Sequence, residues 1–196
     1  MDILRQAIGV AAMERLNQTP HHPKTAGGFN AWSEATKSLR DQLVIRKWSA
    51  VDIKGWALVV EPELRIVIAI ASGDKSTGIK SLSPTTRSKK GKMTLGAIDD
   101  GIQLNLFAEL IEQSKSHVSI KGAGVLWLLL IHVDSSKARA ELSRPRGYKN
   151  GRPTGFDKRI FIDPIDLDGS NQVLLSGGPP SAPSSPEIVF EIKRRA

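Results

Sequence analysis

Cysteine is absent from the 196 residues of this chain, and aromatic residues make up only 5% of it. The lack of cysteine excludes disulfides, thiolate metal sites and a cysteine nucleophile. Long apolar runs are missing too: the longest, Val125 to Ile131, has seven residues and is far too short to span a membrane. Charges interrupt the N-terminal sequence MDILRQAIGVAAMERL where a signal peptide needs an apolar core. We therefore expect a cytoplasmic protein with no secretory signal and no contact with membranes.

Negative charge is the scarcer sign, because 20 Asp and Glu face 28 Lys and Arg for a net charge of +8. The excess lies in two stretches. Residues 73–92, the first basic segment, contain six cations and one anion; residues 137–159, the second basic segment, contain eight cations and two anions. Together the segments carry +11, so the rest of the chain is mildly acidic at −3. A localised excess of this kind favours binding to an anionic partner over a general role in solubility.

Apolar periodicity predicts an α+β fold. Helical spacing favours helices over 2–17, 30–43 and 94–113, and strands are expected at 56–61, 64–72, 124–134, 138–143 and 159–162. The short links Pro62-Glu63 and Ser135-Ser136 predict antiparallel hairpins. The prediction is a mostly antiparallel sheet with about three helices packed on one side and with the basic segments as long loops. The expected organisation is a single domain over 1–175, a Pro/Ser-rich linker at 176–186, and a C-terminal edge strand with a basic tail at 187–196.

Familiar ligand-binding motifs fail on inspection. Gly91-Lys92 is followed by Met93, where a phosphate-binding loop needs Ser or Thr. Asp166-Leu-Asp168-Gly169 lacks both the first and the last carboxylate of a calcium loop. The sequence therefore predicts no cofactor and no metal site.

The basic segments predict contacts with nucleic-acid phosphates, which supply most sequence-independent affinity. The chain's single tyrosine stands among cations and offers a base-stacking surface. The expected contact residues are Lys75, Lys80, Arg87, Lys89, Lys90, Lys92, Arg144, Arg146, Tyr148, Lys149, Arg152, Lys158 and Arg159. We expect a non-enzymatic component of a bacterial or phage nucleoprotein system, a class that includes defence and counter-defence systems.

Two alternatives stay open. A divalent-metal nuclease, using Mg²⁺ or Mn²⁺, needs carboxylates at strand ends and a lysine, for which the candidates are Asp74, Lys75, Asp134 and Glu141. Glu141 has a competing structural interpretation, an ion pair with Arg139 or Arg159 across the sheet. The other alternative is a protein-interaction subunit or inhibitor that docks onto a larger complex through residues 2–17 or 187–196.

Overall fold

A computed structural model of the chain describes residues 2–53, 56–61, 63, 66–89 and 125–167. These residues form two helices and six strands. The helices are α1 (Asp2–Leu16) and α2 (Ala26–Val44); the strands are β1 (Ser49–Ile53), β2 (Trp56–Glu61), β3 (Ile66–Ser72), β4 (Val125–Val133), β5 (Lys137–Lys149) and β6 (Arg152–Asp166). The predicted third helix at 94–113, the linker and the C-terminal strand lie outside the described residues.

The six strands form one sheet in the order of the chain, β1 to β6. Every neighbouring pair is antiparallel except β3 and β4, which run parallel with Val67 opposite Leu126. The predicted α+β class with a mostly antiparallel sheet is confirmed, and so are the hairpins β2–β3 and β4–β5. Strand β1 is an addition that the sequence pattern did not predict.

Both helices pack on one face of the sheet. Ile8 of α1 and Leu39 of α2 are buried in the same apolar cluster as Leu129 and Ile131, which point to that face from β4. The buried side of α1 also includes three alanines, which let the helix approach the sheet closely. Because the apolar face of α1 lies in the core, only its polar face is left for the partner contact expected at residues 2–17. No helix within the described ranges is both long enough and apolar enough to cross a membrane.

The second basic segment is not a loop, which corrects the prediction. Its residues up to Lys149 belong to β5 and those from Arg152 belong to β6, so the segment is a long antiparallel hairpin. The strands are joined through Asn150 and Gly151, which have φ angles of 52° and 81°. Positive φ at both positions is typical of the tightest hairpin turns, for which Asn-Gly is the preferred sequence.

The distal half of this hairpin packs against the face of the sheet opposite the helices. Its register is irregular at three places between Arg144 and Tyr148, as expected for a strand that contains Pro145. Beyond these irregularities, Tyr148 joins an apolar cluster with Leu58 and Leu126, and Phe156 packs on that cluster. The hairpin therefore covers part of the second face of the sheet.

The described residues of the first basic segment, 73–89, form turns and bends with no helix or named strand. Its two ends meet, because Gly73 and Thr86 form a β-bridge and the Arg87 amide donates to the Ser72 carbonyl at 2.8 Å. The loop thus leaves the carboxyl end of β3 and returns to it, which is the geometry of a compact surface loop. We refer to residues 73–89 as the closed loop.

Candidate nucleic-acid interface

The two basic segments, which are about fifty residues apart in the chain, contact each other directly. Arg159 of β6 donates to the Leu82 carbonyl at 2.7 Å and to the Ile79 carbonyl at 3.2 Å. At the tip of the hairpin, Arg152 donates to the Arg87 carbonyl at 3.4 Å. The closed loop and the β5–β6 hairpin are therefore held side by side.

A buried ion pair fixes this contact. Glu141 of β5 is 0% exposed, and Arg159 donates to its two carboxylate oxygens at 3.0 and 2.6 Å. The Ser143 hydroxyl donates to Oε1 at 2.7 Å, and the Gly78 amide of the closed loop donates to Oε2 at 3.0 Å. Four donors on two oxygens satisfy this carboxylate well, which a buried charge requires. The structural interpretation of Glu141 as a cross-strand partner of Arg159 therefore matches the geometry.

The glycine at position 78 makes this approach possible. Its φ is +76°, in the left-handed region that glycine adopts without strain. A Cβ at this position would lie 3.0 Å from the Cβ of Arg139, so the backbone of the closed loop rests directly on β5.

The remaining cations of the two segments differ in how free they are. Arg144 and Arg146 both bind Asp157, at 3.2 and 3.1 Å. The hydrogen bond from Arg146 is the main reason that the pKa of Asp157 lies below its ordinary value. Seven others are exposed and form no ion pair with any described residue: Lys75, Lys80, Arg87, Lys89, Lys149, Arg152 and Lys158. We call these seven residues the basic surface; Lys90 and Lys92 lie outside the described residues.

Tyr148 does not have the position that base stacking requires. It is only 5% exposed and its ring is part of the apolar cluster on the second face of the sheet. Burial also raises the pKa of its phenol well above the ordinary value. The prediction that Tyr148 stacks on a base is therefore at odds with its burial, because a stacking ring must present a free face.

The carboxylates of the nuclease hypothesis each have a local partner. Asp74 accepts the Ser76 amide at 3.0 Å, and Asp134 accepts the amides of Ser136 and Lys137 at 2.9 Å each. These two backbone bonds are the main reason that the pKa of Asp134 falls from 3.8 to about 2, and the Ser136 hydroxyl and Arg139 act in the same direction. Glu141 is enclosed by its own donors, and Lys75 is exposed on the closed loop. Within the described ranges, no three His, Asp or Glu side chains gather as a metal site would require.

A cleft that no sequence pattern predicted lies beside the basic surface, at the carboxyl ends of β3 and β4. Its volume is about 520 Å³, and it lies between the two helices and the end of the closed loop. Three cations from separate parts of the chain line it, namely Arg15 of α1, Lys24 before α2, and Arg87. No linear motif joins these residues, so only their three-dimensional arrangement indicates the site.

Comparisons of the chain with protein-family models, with curated protein sequences and with solved structures find no match. Any functional assignment therefore depends on the geometry described above.

Proposed function

We propose that this chain binds nucleic acid through the basic surface, without strong sequence preference. The observation that carries the proposal is the contact between the closed loop and the β5–β6 hairpin. Hydrogen bonds from Arg159 and Arg152 join the two segments, and the seven unpaired, exposed cations lie on these joined elements. Such a binder suits a non-enzymatic component of a nucleoprotein assembly.

Unpaired cations favour phosphate binding for a simple reason. A lysine already paired with a carboxylate must give up that partner, whereas an unpaired, hydrated lysine contacts a phosphate and displaces the counterions condensed on the nucleic acid. The rest of the chain is net acidic, so like-charge repulsion favours an approach of the polyanion through the basic surface.

The proposed mode of binding predicts low sequence specificity. Lysine and arginine contacts to phosphate fix the position of a protein on the strand but do not read bases. The tyrosine that could have added stacking is buried. Affinity should therefore depend steeply on salt and only weakly on sequence.

Fluorescence polarisation with a labelled duplex and with a single strand of the same length, over a range of salt concentrations, tests the proposal. Each lost phosphate contact should reduce the slope of log K against log salt by about 0.9 for duplex DNA. We expect the double variant Lys149→Ala/Lys158→Ala to bind several-fold more weakly on all sequences, with a slope reduced by up to about 2.

A matched control is the variant Lys37→Ala. Lys37 lies on α2, where it pairs with Asp41 at 2.9 Å, outside both basic segments. A second control substitution, Arg46→Ala at an exposed residue just after the end of α2, gives the control protein the same change in net charge as the double variant. If this control weakens binding as much as the double variant does, net charge alone determines the affinity and the basic surface is not the binding site. Absence of binding to both nucleic acids at low salt would also refute the proposal.

A further inference from the structure

The cleft at the ends of β3 and β4 has an unusual charge. Arg15, Lys24 and Arg87 line it, together with His132, and no Asp or Glu lines it in the described part of the chain. None of the three permanent cations forms an ion pair with a described residue. Cations that surround one concave space without a counter-charge repel each other, and an anion in that space relieves the repulsion.

The floor of the cleft is apolar and aromatic. Ile70 and Ile131 contribute from the strands, and Trp32 contributes from α2. The indole N–H of Trp32 donates to the Ile70 carbonyl at 3.2 Å, which fixes this ring relative to β3. Phe29, with its ring centre 5.8 Å from that of Trp32, also lines the cleft yet is 63% exposed. An exposed phenyl ring beside a fixed indole offers a face to a planar ligand group.

The cleft thus combines cations with an aromatic face in a volume of about 520 Å³. Small-molecule sites usually range from about 300 to 1,000 Å³ and are mostly apolar with a few convergent polar groups. A ligand that is matched to this lining has an anionic end and a flat aromatic end. Nucleotides have both.

The first turn of α2 adds to the same preference. Gly28 lines the cleft, the first turn holds no acidic residue, and Thr25 makes no side-chain capping bond. The positive end of the helix dipole therefore acts in the same direction as the three cations.

We propose that the cleft is a nucleotide site, in which Arg15, Lys24 and Arg87 hold a phosphate and Phe29 contacts the base. This site shares Arg87 with the basic surface, whereas Arg15, Lys24 and Phe29 lie outside both basic segments. The nucleotide has two possible sources: a free mononucleotide, or the phosphorylated end of a strand.

Isothermal titration of the protein with adenosine 5′-monophosphate, with adenosine and with inorganic phosphate tests the site. We expect the monophosphate to bind at least about tenfold more tightly than adenosine, because charge-assisted bonds to the phosphate are lost in the nucleoside. Lys24→Ala and Arg87→Ala should each weaken the monophosphate about fivefold or more, whereas Arg87→Lys keeps the charge and most of the affinity. Phe29→Ala should weaken the monophosphate by a similar factor and leave inorganic phosphate unchanged.

Lys37→Ala, at a residue that does not line the cleft, serves as the control and should bind as the unmodified protein does. The proposal is overturned if the monophosphate shows no binding at millimolar concentration, if adenosine binds equally well, or if Lys24→Ala and Arg87→Ala have no effect. Lys24 and Arg87 are both exposed, so these variants should fold, and their thermal unfolding provides the check.

Oligonucleotides with and without a 5′-phosphate separate the two sources. If the site holds a strand end, the 5′-phosphate strengthens binding and Lys24→Ala abolishes that difference. If it holds a free nucleotide, the two oligonucleotides bind alike while the monophosphate still binds. Neither result depends on Lys149 or Lys158. If the proposed nucleic-acid binding is wrong but the nucleotide site is right, the protein will bind the monophosphate and will not bind the duplex.

Discussion

Breaking the Glu141–Arg159 pair should destabilise the protein strongly and release the closed loop. Glu141 is fully buried, whereas the Arg159 side chain is 18% exposed and also donates to two backbone carbonyls of the closed loop. The guanidinium lies 4.7 Å from the centre of the Phe161 ring as well. Each partner therefore holds a charge that water cannot easily reach once the other is removed.

The two single variants should differ in magnitude. Arg159→Leu leaves a buried carboxylate whose donors among the described residues are Ser143 and Gly78 alone, and we expect a loss of about 4 kcal/mol in the free energy of unfolding. Glu141→Leu leaves a guanidinium that keeps its carbonyl acceptors and some water, so the loss should be smaller, about 3 kcal/mol. The double variant removes both charges together, and we expect its loss to be below about 2 kcal/mol.

Urea unfolding of the four proteins gives the coupling free energy, which these values put at about 5 kcal/mol or more. Hydrogen exchange provides a local readout, because the Gly78 amide donates to Glu141 and should exchange faster in Glu141→Leu. The exposed pair Lys37–Asp41 serves as the control, and its removal should change stability by less than about 0.5 kcal/mol. Additive single effects below about 1 kcal/mol each, with unchanged exchange at Gly78, would show that the pair does not hold the closed loop in place.

Two further predictions concern pH. The Tyr148 hydroxyl is buried, has no hydrogen-bond partner in the described part of the chain, and has a pKa that burial raises. The tyrosine therefore ionises first in the unfolded state, and the stability of the fold decreases as pH rises above about 10. Tyr148→Phe should remove that decrease and be neutral or slightly stabilising at pH 7, which denaturant unfolding at pH 7 and above pH 10 will show. Alkaline unfolding at the same pH in both proteins would contradict this. For Asp134, the amides of Ser136 and Lys137 lower the pKa from 3.8 to about 2, so the carboxylate stabilises the fold above about pH 4 and that contribution is lost as pH falls toward 2. Asp134→Ala should therefore lower stability at pH 7 by about 1 kcal/mol, after allowance for solvent screening of an exposed carboxylate, and should make the decline between pH 4 and 2 shallower in thermal melts; an equally steep decline would refute it.

The sequence predicted most of the described fold because its strongest patterns are local. Apolar residues at helical spacing marked α1, and the continuous apolar run from Val125 marked β4. Strand β1 was not predicted because its five residues have only two strongly apolar positions, Val51 and Ile53, which are too few to establish a period. The β5–β6 hairpin was not predicted for a different reason. Its prolines and glycines favour a loop when the segment is considered alone, but register irregularities accommodate them in the folded sheet. The Asn150-Gly151 dipeptide was the signal that could have identified the hairpin turn.

The candidate sites likewise differ in how far local sequence patterns predict them. Counting charges along the chain located the two basic segments, since charge density is a property of the sequence alone. Whether the segments touch depends on the pairing of β5 with β6 and on the path of the closed loop, which no local pattern fixes. The cleft could not be predicted from the sequence, because Arg15, Lys24 and Arg87 come together only when two helices and the end of a loop meet over the parallel strands.

Arg159 of the second basic segment has a structural role that its neighbours lack, and this role explains how a strongly charged surface remains folded. Arg159 is partly buried, pairs with the buried Glu141, and binds the closed loop through two backbone carbonyls. Exposed Lys158, the adjacent residue, pairs with nothing that the structure describes. Repulsion among the seven cations of the basic surface tends to separate the loop from the hairpin, and the buried pair opposes that separation. Loss of Glu141 should therefore weaken nucleic-acid binding without removing a single phosphate contact, because the two halves of the surface would no longer be held together.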